Sequence, residues 1–495
     1  MALPLARVYP DLIFARPIDK KNLMKAVVTV FFAFVSLIMA SGQNLSISSS
    51  REGNQRITYN RGGMSSFNVE TRGKMEITDD DKDIKSMSPD GYLEINKTVF
   101  GSKRTIVISP QGNGLKKEYY EGRTLMPFEP DGRKWLGEIL PEIVRSTHIA
   151  AESRVKRFFN KGGSGAVLDE IKLIESDYVK VHYANLLLEQ NVQASELSTI
   201  VNSVTGGMDS DHYITEFLTK NIRRLMASKD AADAVYAATR NMDSDHYKTQ
   251  VIKEALREGP ASPESVKSAL LATSNMSSDH YKTEVLTSLL RQNNLTENVV
   301  SEMIGVTKSM DSDHYKTVIL TRALSKQGLS STSFQKILEA VKEMDSDHYK
   351  TEVMTHLLEN NVGPDLQTIL IAATSSIDSD HYISVVGKKI LKNQNLTDEA
   401  FQNLLQVMAS NQSDYYMSEF LKTAADRPGL SKQNIQTILN AVGSIDSDHY
   451  MTEVLVDLAP SLRALNDQSL KDAYRAAAKK IGSETYYGRA LRAID

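Results

Sequence analysis

Residues 311–315 read DSDHY, and the same pentad starts at 209, 243, 345, 378 and 446; at 277 it reads SSDHY. The residue two places before each pentad serine, or its counterpart, is Ile174, Met208, Met242, Met276, Met310, Met344, Ile377, Asn411, Ile445 and Ile481. These positions are 34 residues apart except for one step of 33 and a last step of 36. A period near 34 is the signature of stacked helical hairpins. Within one unit, SDHYKTEVLTSLLRQN (278–293) puts Tyr281, Val285, Leu286, Leu289 and Leu290 on one helical stripe. LTENVVSEMIGVTKSM (295–310) puts Val299, Met303, Val306 and Met310 on another. NN, QG, RPG or GP separates the two helices, the second starting at Thr296, at Ser330 or at the GPD of 363–365. One hairpin cannot cover its own apolar faces, so neighbours must, and stability is shared along a one-dimensional array. The W-x2-L-G-x2-Y pattern of tetratricopeptide repeats is absent, and HEAT-like packing is the closer comparison.

The pentads predict a structural ladder between repeats. Ser210, Ser244, Ser278, Ser312, Ser346, Ser379 and Ser447 are the expected N-caps of each first helix. Asp211, Asp245, Asp279, Asp313, Asp347, Asp380 and Asp448 then lie in the first turn, where a carboxylate faces the positive end of the helix. His212, His246, His280, His314, His348, His381 and His449 are placed at the seam, donating to carbonyls that end the preceding helix. Tyr213, Tyr247, Tyr281, Tyr315, Tyr349, Tyr382 and Tyr450 open the buried stripe.

A chain of metal sites is the competing reading. Adjacent Asp and His on a helix point about 100° apart, and copies in successive repeats lie about 8–10 Å apart. Zinc needs ligands at about 2.0–2.2 Å. At the histidine position the degenerate units carry Tyr178, Tyr415 and Thr485, while Ser176, Ser413 and Ser483 persist at the cap. A hydroxyl replaces a hydrogen-bonding imidazole more readily than a ligating one. No metal or other cofactor is therefore expected. A pH-responsive row is the further alternative, because imidazole ordinarily titrates near pH 6.5.

Ahead of the repeats the period changes. LSIS, RITYN, FNVET, KMEIT, GYLEIN, RTIVIS and KKEYYEG alternate apolar and polar residues between turn signals, predicting a small antiparallel sandwich or open barrel over 43–128. The acids Asp79, Asp80, Asp81 and Asp83 lack the glycine and distal glutamate of an EF-hand loop and read as a solvated turn. Residues 129–173 read as a helical cap of the array, with Trp135 packing on the head and KGGSG (161–165) as a helix stop and restart. The array itself spans 174–495, about nine hairpins with a degenerate end. The fold class is α+β: a β head followed by an α-solenoid.

The first 42 residues carry a basic flank, KKNLMK, an apolar run from 26 to 40, and small residues at Ala40 and Gly42. That pattern fits a secretory signal, or an uncleaved anchor as the sole membrane attachment. The chain is therefore expected outside the cytoplasm, in the periplasm or envelope. A net charge of −4 without a basic block argues against nucleic acid. Zero cysteines exclude disulfides and thiolate chemistry. HExxH, GxSxG and GxxxxGK[ST] are absent. The one SxxK, Ser333 to Lys336, lacks companion motifs, and His148, His182 and His356 stand isolated. The glutamate of HYKTE is Gln250, Val318 or Val385 in sister repeats, so it reads as a surface ion-pair partner of lysine.

DIKSMSPDGYLEI, EYYEGRTLMPFEPDGRKWLGEILPEIVRST, ESRVKRFFNKGGSGAVLDEI and IESDYVKVHYANLLL together resemble an uncharacterised bacterial extracytoplasmic module. That module follows sensor metallopeptidases of the beta-lactam-receptor type, with SDY-type repeats after a small β head. The resemblance spans about 75–495. It implies an exported interaction module, without the peptidase and with no site residues to carry over. The expected function is a non-enzymatic scaffold for a protein, peptide or envelope polymer, with specificity in the positions that vary between repeats. A metal- or pH-responsive sensor is the alternative.

Overall fold

A computed structural model of the chain describes residues 43–495 except 50–54, 62–64, 100, 260–262, 293–294, 327, 361–362, 394 and 410–412. The basic and apolar N-terminal segment, the turn signals at 51–54 and 62–63, and Asn411 lie outside the described residues. Two compact units divide between Arg154 and Val155.

The first unit is built on strands β1 (Gln43–Ser49), β2 (Gln55–Arg61), β3 (Ser65–Arg72), β4 (Met75–Ile77), β5 (Ile84–Met87), β6 (Tyr92–Val99), β7 (Ser102–Gln111), β8 (Gly114–Glu121) and β9 (Thr124–Met126). Seven of them form one antiparallel sheet ordered β1-β2-β3-β6-β7-β8-β9, and β4 pairs with β5 apart from it. The pairing sets Val69 opposite Ile95, Ile95 opposite Ile106, and Ile106 opposite Tyr119. Because side chains alternate along a strand, this register gathers Phe67, Val69, Leu93, Ile95, Ile106, Ile108 and Tyr119 on one face. Helix α1 (Arg133–Ser146) covers them with Trp135, Leu136, Ile139, Leu140 and Ile143. The Trp135 ring lies 5.9 Å from that of Tyr119, so the tryptophan is a core residue, as the sequence suggests. The expected sandwich or barrel is instead an open sheet roofed by a helix. The amphipathic helix supplies the second layer that the sheet's apolar face requires.

The acidic turn is more than solvated. Asp81 takes a left-handed backbone (φ 59°) and its carboxylate pairs with the fully buried Arg154 at 2.7 Å. Asp83 binds Lys117 at 2.5 Å and Arg133 at 2.7 Å, while Asp80 accepts from Thr78. The protein's own cations and donors occupy these three carboxylates.

Helix α2 (Ala151–Lys172), within which the division falls, is broken at Gly162 and Gly163, the latter at φ 64°. This is the stop and restart read from KGGSG, and the positive φ favours glycine there. Hairpins follow: α3 (Asp177–Leu188) with α4 (Leu197–Thr205), α5 (Asp211–Leu225) with α6 (Lys229–Asn241), and α7 (Asp245–Glu258) with α8 (Pro263–Ser274). Next come α9 (Asp279–Leu290) with α10 (Glu297–Thr307), α11 (Asp313–Leu324) with α12 (Ser331–Lys342), and α13 (Asp347–Leu357) with α14 (Pro364–Thr374). The last pairs are α15 (Asp380–Leu391) with α16 (Asp398–Met408), α17 (Asp414–Ala425) with α18 (Lys432–Val442), and α19 (Asp448–Leu465) with α20 (Gln468–Ala478). Helix α21 (Glu484–Ile494) ends the array. First helices pack on first helices and second on second, as the 34-residue period requires. The period-marking residues, from Ile174 and Met208 to Ile445 and Ile481, are buried wherever described. One continuous apolar cluster runs from Val300 to Ile494.

Candidate functional site

The pentad serines stand at the N-cap with extended backbones, from Ser210 (φ −91°, ψ 113°) to Ser447 (φ −77°, ψ 116°), but their side chains do not cap. The acceptor comes from the preceding repeat. One carboxylate oxygen of Asp313 accepts the backbone N–H groups of Asp345 and Ser346, both at 2.8 Å. Asp279 does the same for Asp311 and Ser312, and Asp211 for Asp243 and Ser244. Asp177, Asp245, Asp347, Asp414 and Asp448 repeat the bond toward the next unit. Each aspartate thus occupies the first turn of its own helix while satisfying the free amides that open the next one. The ladder anticipated for the histidines belongs to the aspartates.

The second aspartate oxygen faces a lysine three residues on, which the sequence reading leaves on the surface. Lys248, Lys282, Lys316 and Lys350 are all buried. Lys282 donates to the carbonyl of Ser309 at 2.7 Å and Lys350 to that of Ser376 at 2.6 Å; Lys180 reaches Gly207 at 2.5 Å. Lysine is therefore the donor to the carbonyls that end the second helix, closing its own hairpin. Where the lysine is missing, buried Ile214, Ile383, Met417 and Met451 fill its place. The HYKTE glutamate finds its cation elsewhere: Glu284 pairs with Lys253 of the preceding repeat at 2.8 Å.

The histidines do not reach those carbonyls. Each imidazole is exposed, 54% for the side chain of His280 and 60% for His348, and each lies against two tyrosine rings. Its own neighbour is 5.0–5.3 Å away, as in His212–Tyr213 and His314–Tyr315. The tyrosine of the next repeat is 5.4–6.0 Å away, as in His212–Tyr247 and His381–Tyr416. Tyr178 and Tyr415 take the histidine place in their units and continue the row. Eighteen rings, from Tyr178 to Tyr486, therefore form one line of tilted and edge-to-face contacts, the arrangement aromatic pairs prefer. The tyrosines are half-buried, not core residues, so the pentad is both joint and surface.

Among the described residues no group of three His, Asp, Glu or Cys side chains is placed to hold a metal ion. Ser333 donates to Glu297 and Lys336 to Ser301 at 2.6 Å, so each is engaged by another residue. His356 faces Glu359, and burial pushes the His148 imidazole down. No helix among the described residues is long and apolar enough to cross a membrane.

No protein-family model and no curated protein matches the chain. A solved structure from work on the computational design of self-assembling cyclic protein homooligomers is similar to it. That chain is 12% identical, with 64% of this chain and 97% of that chain covered, at a TM-score of 0.11. So low a TM-score carries no argument about fold or function.

Proposed function

We propose that this protein is an exported, non-enzymatic scaffold that binds a protein, peptide or envelope polymer along its helical array. The observation that supports this reading is the unbroken row of exposed His and half-buried Tyr rings from Tyr178 to Tyr486. The aspartate–amide bonds and the buried stripes already link successive repeats, and the rings lie outside that core with their histidines in water. Rigid aromatic side chains give large contact area at small entropic cost, and the array repeats them at fixed spacing. Selectivity then falls to the varying positions one turn below the rings, such as Gln250, Glu284, Val318 and Glu352. A metal-sensing ladder has less support, because the second carboxylate of the pentad, the one next to the histidine, is engaged by backbone amides.

The test compares the full chain with a variant carrying His246→Ala, His280→Ala, His314→Ala and His348→Ala, each immobilised against native envelope fractions and cross-linked. The expected result is a partner cross-linked to the 243–349 segment of the original chain and lost from the variant. Identical capture by both would contradict the reading.

A further inference from the structure

We propose that the ring row takes an extended basic polypeptide, with Lys or Arg at about every third residue. This rests on the scaffold reading above and adds the chemistry and spacing of the partner. The first pentad position supplies the charge. Asp209, Asp243, Asp311, Asp345, Asp378 and Asp446 are exposed, three residues before six of the seven pentad histidines and at the same end of the helix. Among the described residues none of these six side chains forms an ion pair or accepts a hydrogen bond. Here each supplies only its backbone N–H. The nearby lysines cannot neutralise them. Lys282 and Lys350 are buried and committed to the second aspartate and a helix-ending carbonyl, and Lys308 is taken by Glu339 and Glu343.

The array thus carries an exposed carboxylate three residues ahead of six histidines of the ring row, repeated in register. A cation held against a tyrosine face gains both the ring quadrupole and the carboxylate. An anionic polymer would meet six uncompensated charges instead. Spacing selects the backbone. Stacked helices advance about 8–10 Å per repeat. A polyproline II chain presents the same face every three residues, a rise of about 9 Å. One cation per repeat follows from one cation per turn of the ligand.

The experiment measures binding of the full chain by fluorescence anisotropy to a peptide of six Pro-Pro-Lys units. Comparison peptides carry Glu in place of Lys, or the same six lysines at every second residue. Acidic polysaccharide serves as a competing ligand. The lysine peptide is expected to bind, the glutamate peptide to fail, and the respaced peptide to bind about fivefold more weakly. Asp243→Asn, Asp311→Asn and Asp345→Asn together should weaken binding at least about tenfold with unchanged circular dichroism and melting. Ser277→Asp, which restores the acid missing from one repeat, should strengthen it about twofold. Lysine-peptide binding that ignores these variants overturns the inference. If the acidic polysaccharide binds through the ring row and the lysine peptide does not, this inference falls while the scaffold reading stands. If neither binds and no envelope component depends on the rings, both fall.

Discussion

The head and the array use the same chemical device to opposite structural ends. In the head, Asp81 closes on Arg154 and Asp83 on both Lys117 and Arg133, all in their own unit, around a single core under α1. In the array, Asp211, Asp279, Asp313 and their equivalents each reach forward to open the next helix, so the bond is a link in a series. A closed core loses its stability as a whole. A series loses it link by link, because each repeat depends on its neighbours alone.

The sharpest break in the comparison is Arg154→Ala. It removes the buried guanidinium that pairs with Asp81 and should cost the head about 3–5 kcal/mol. Chemical denaturation followed by Trp135 fluorescence reads this directly, since the chain's one tryptophan lies in the head core. Asp313→Ala comes next. It strips the acceptor from the Asp345 and Ser346 amides and the counter-charge from buried Lys316, a loss of about 2–4 kcal/mol. Amide exchange should show that loss centred on the α11–α13 junction, in contrast to the whole-unit loss in the head.

A smaller effect is acid sensitivity. Burial pushes the Asp245 carboxyl up, but the amides of Ser278 and Ser277, the Ser277 hydroxyl and Lys248 outweigh it and hold the carboxyl below its ordinary range. With the folded pKa below an unfolded value near about 3.9, this group stabilises the fold above that value. Its contribution disappears as pH falls through the folded pKa. The melting temperature of the array should therefore drop below about pH 4, and Asp245→Asn should shrink that drop. The smallest change is His314→Ala, which removes an exposed ring from two tilted contacts and should cost less than about 1 kcal/mol. Thermal melting checks it against Asp313→Ala, one residue away.

The repeat, its period and the apolar stripes are legible because burial imposes periodicity directly on residue type. Leu286, Leu289 and Met303 could be placed on the core side from spacing alone, and all are buried. Trp135 likewise announces itself by its apolar neighbours one turn away. Short strands such as β5 and β9 carry too few residues to show alternation. The open sheet was hidden for a different reason: a strand pattern says which face is apolar, not whether a sheet or a helix covers it.

The pentad is legible as a joint but not in its division of labour. Helical periodicity gives the direction of a side chain around its own axis, and both Asp313 and His314 point toward some neighbour. Which of them meets a free amide depends on the offset between adjacent hairpins, which no local pattern records. The lysines mislead by their charge. A residue such as Lys282 reads as solvent-facing unless the carbonyl of Ser309 and the carboxylate of Asp279, both supplied by the fold, are already known. The one hint lies in the sister repeats, where Ile214, Ile383, Met417 and Met451 hold the same position.

The aspartate fastens successive hairpins while the adjoining imidazole stays exposed at the surface. Site-resolved amide exchange at Ser346, measured in Asp313→Asn and His314→Ala beside the original chain, tests this most directly. Ser346 is expected to lose protection in the aspartate variant and to keep it in the histidine variant. Protection kept without the carboxylate and lost without the imidazole would contradict it.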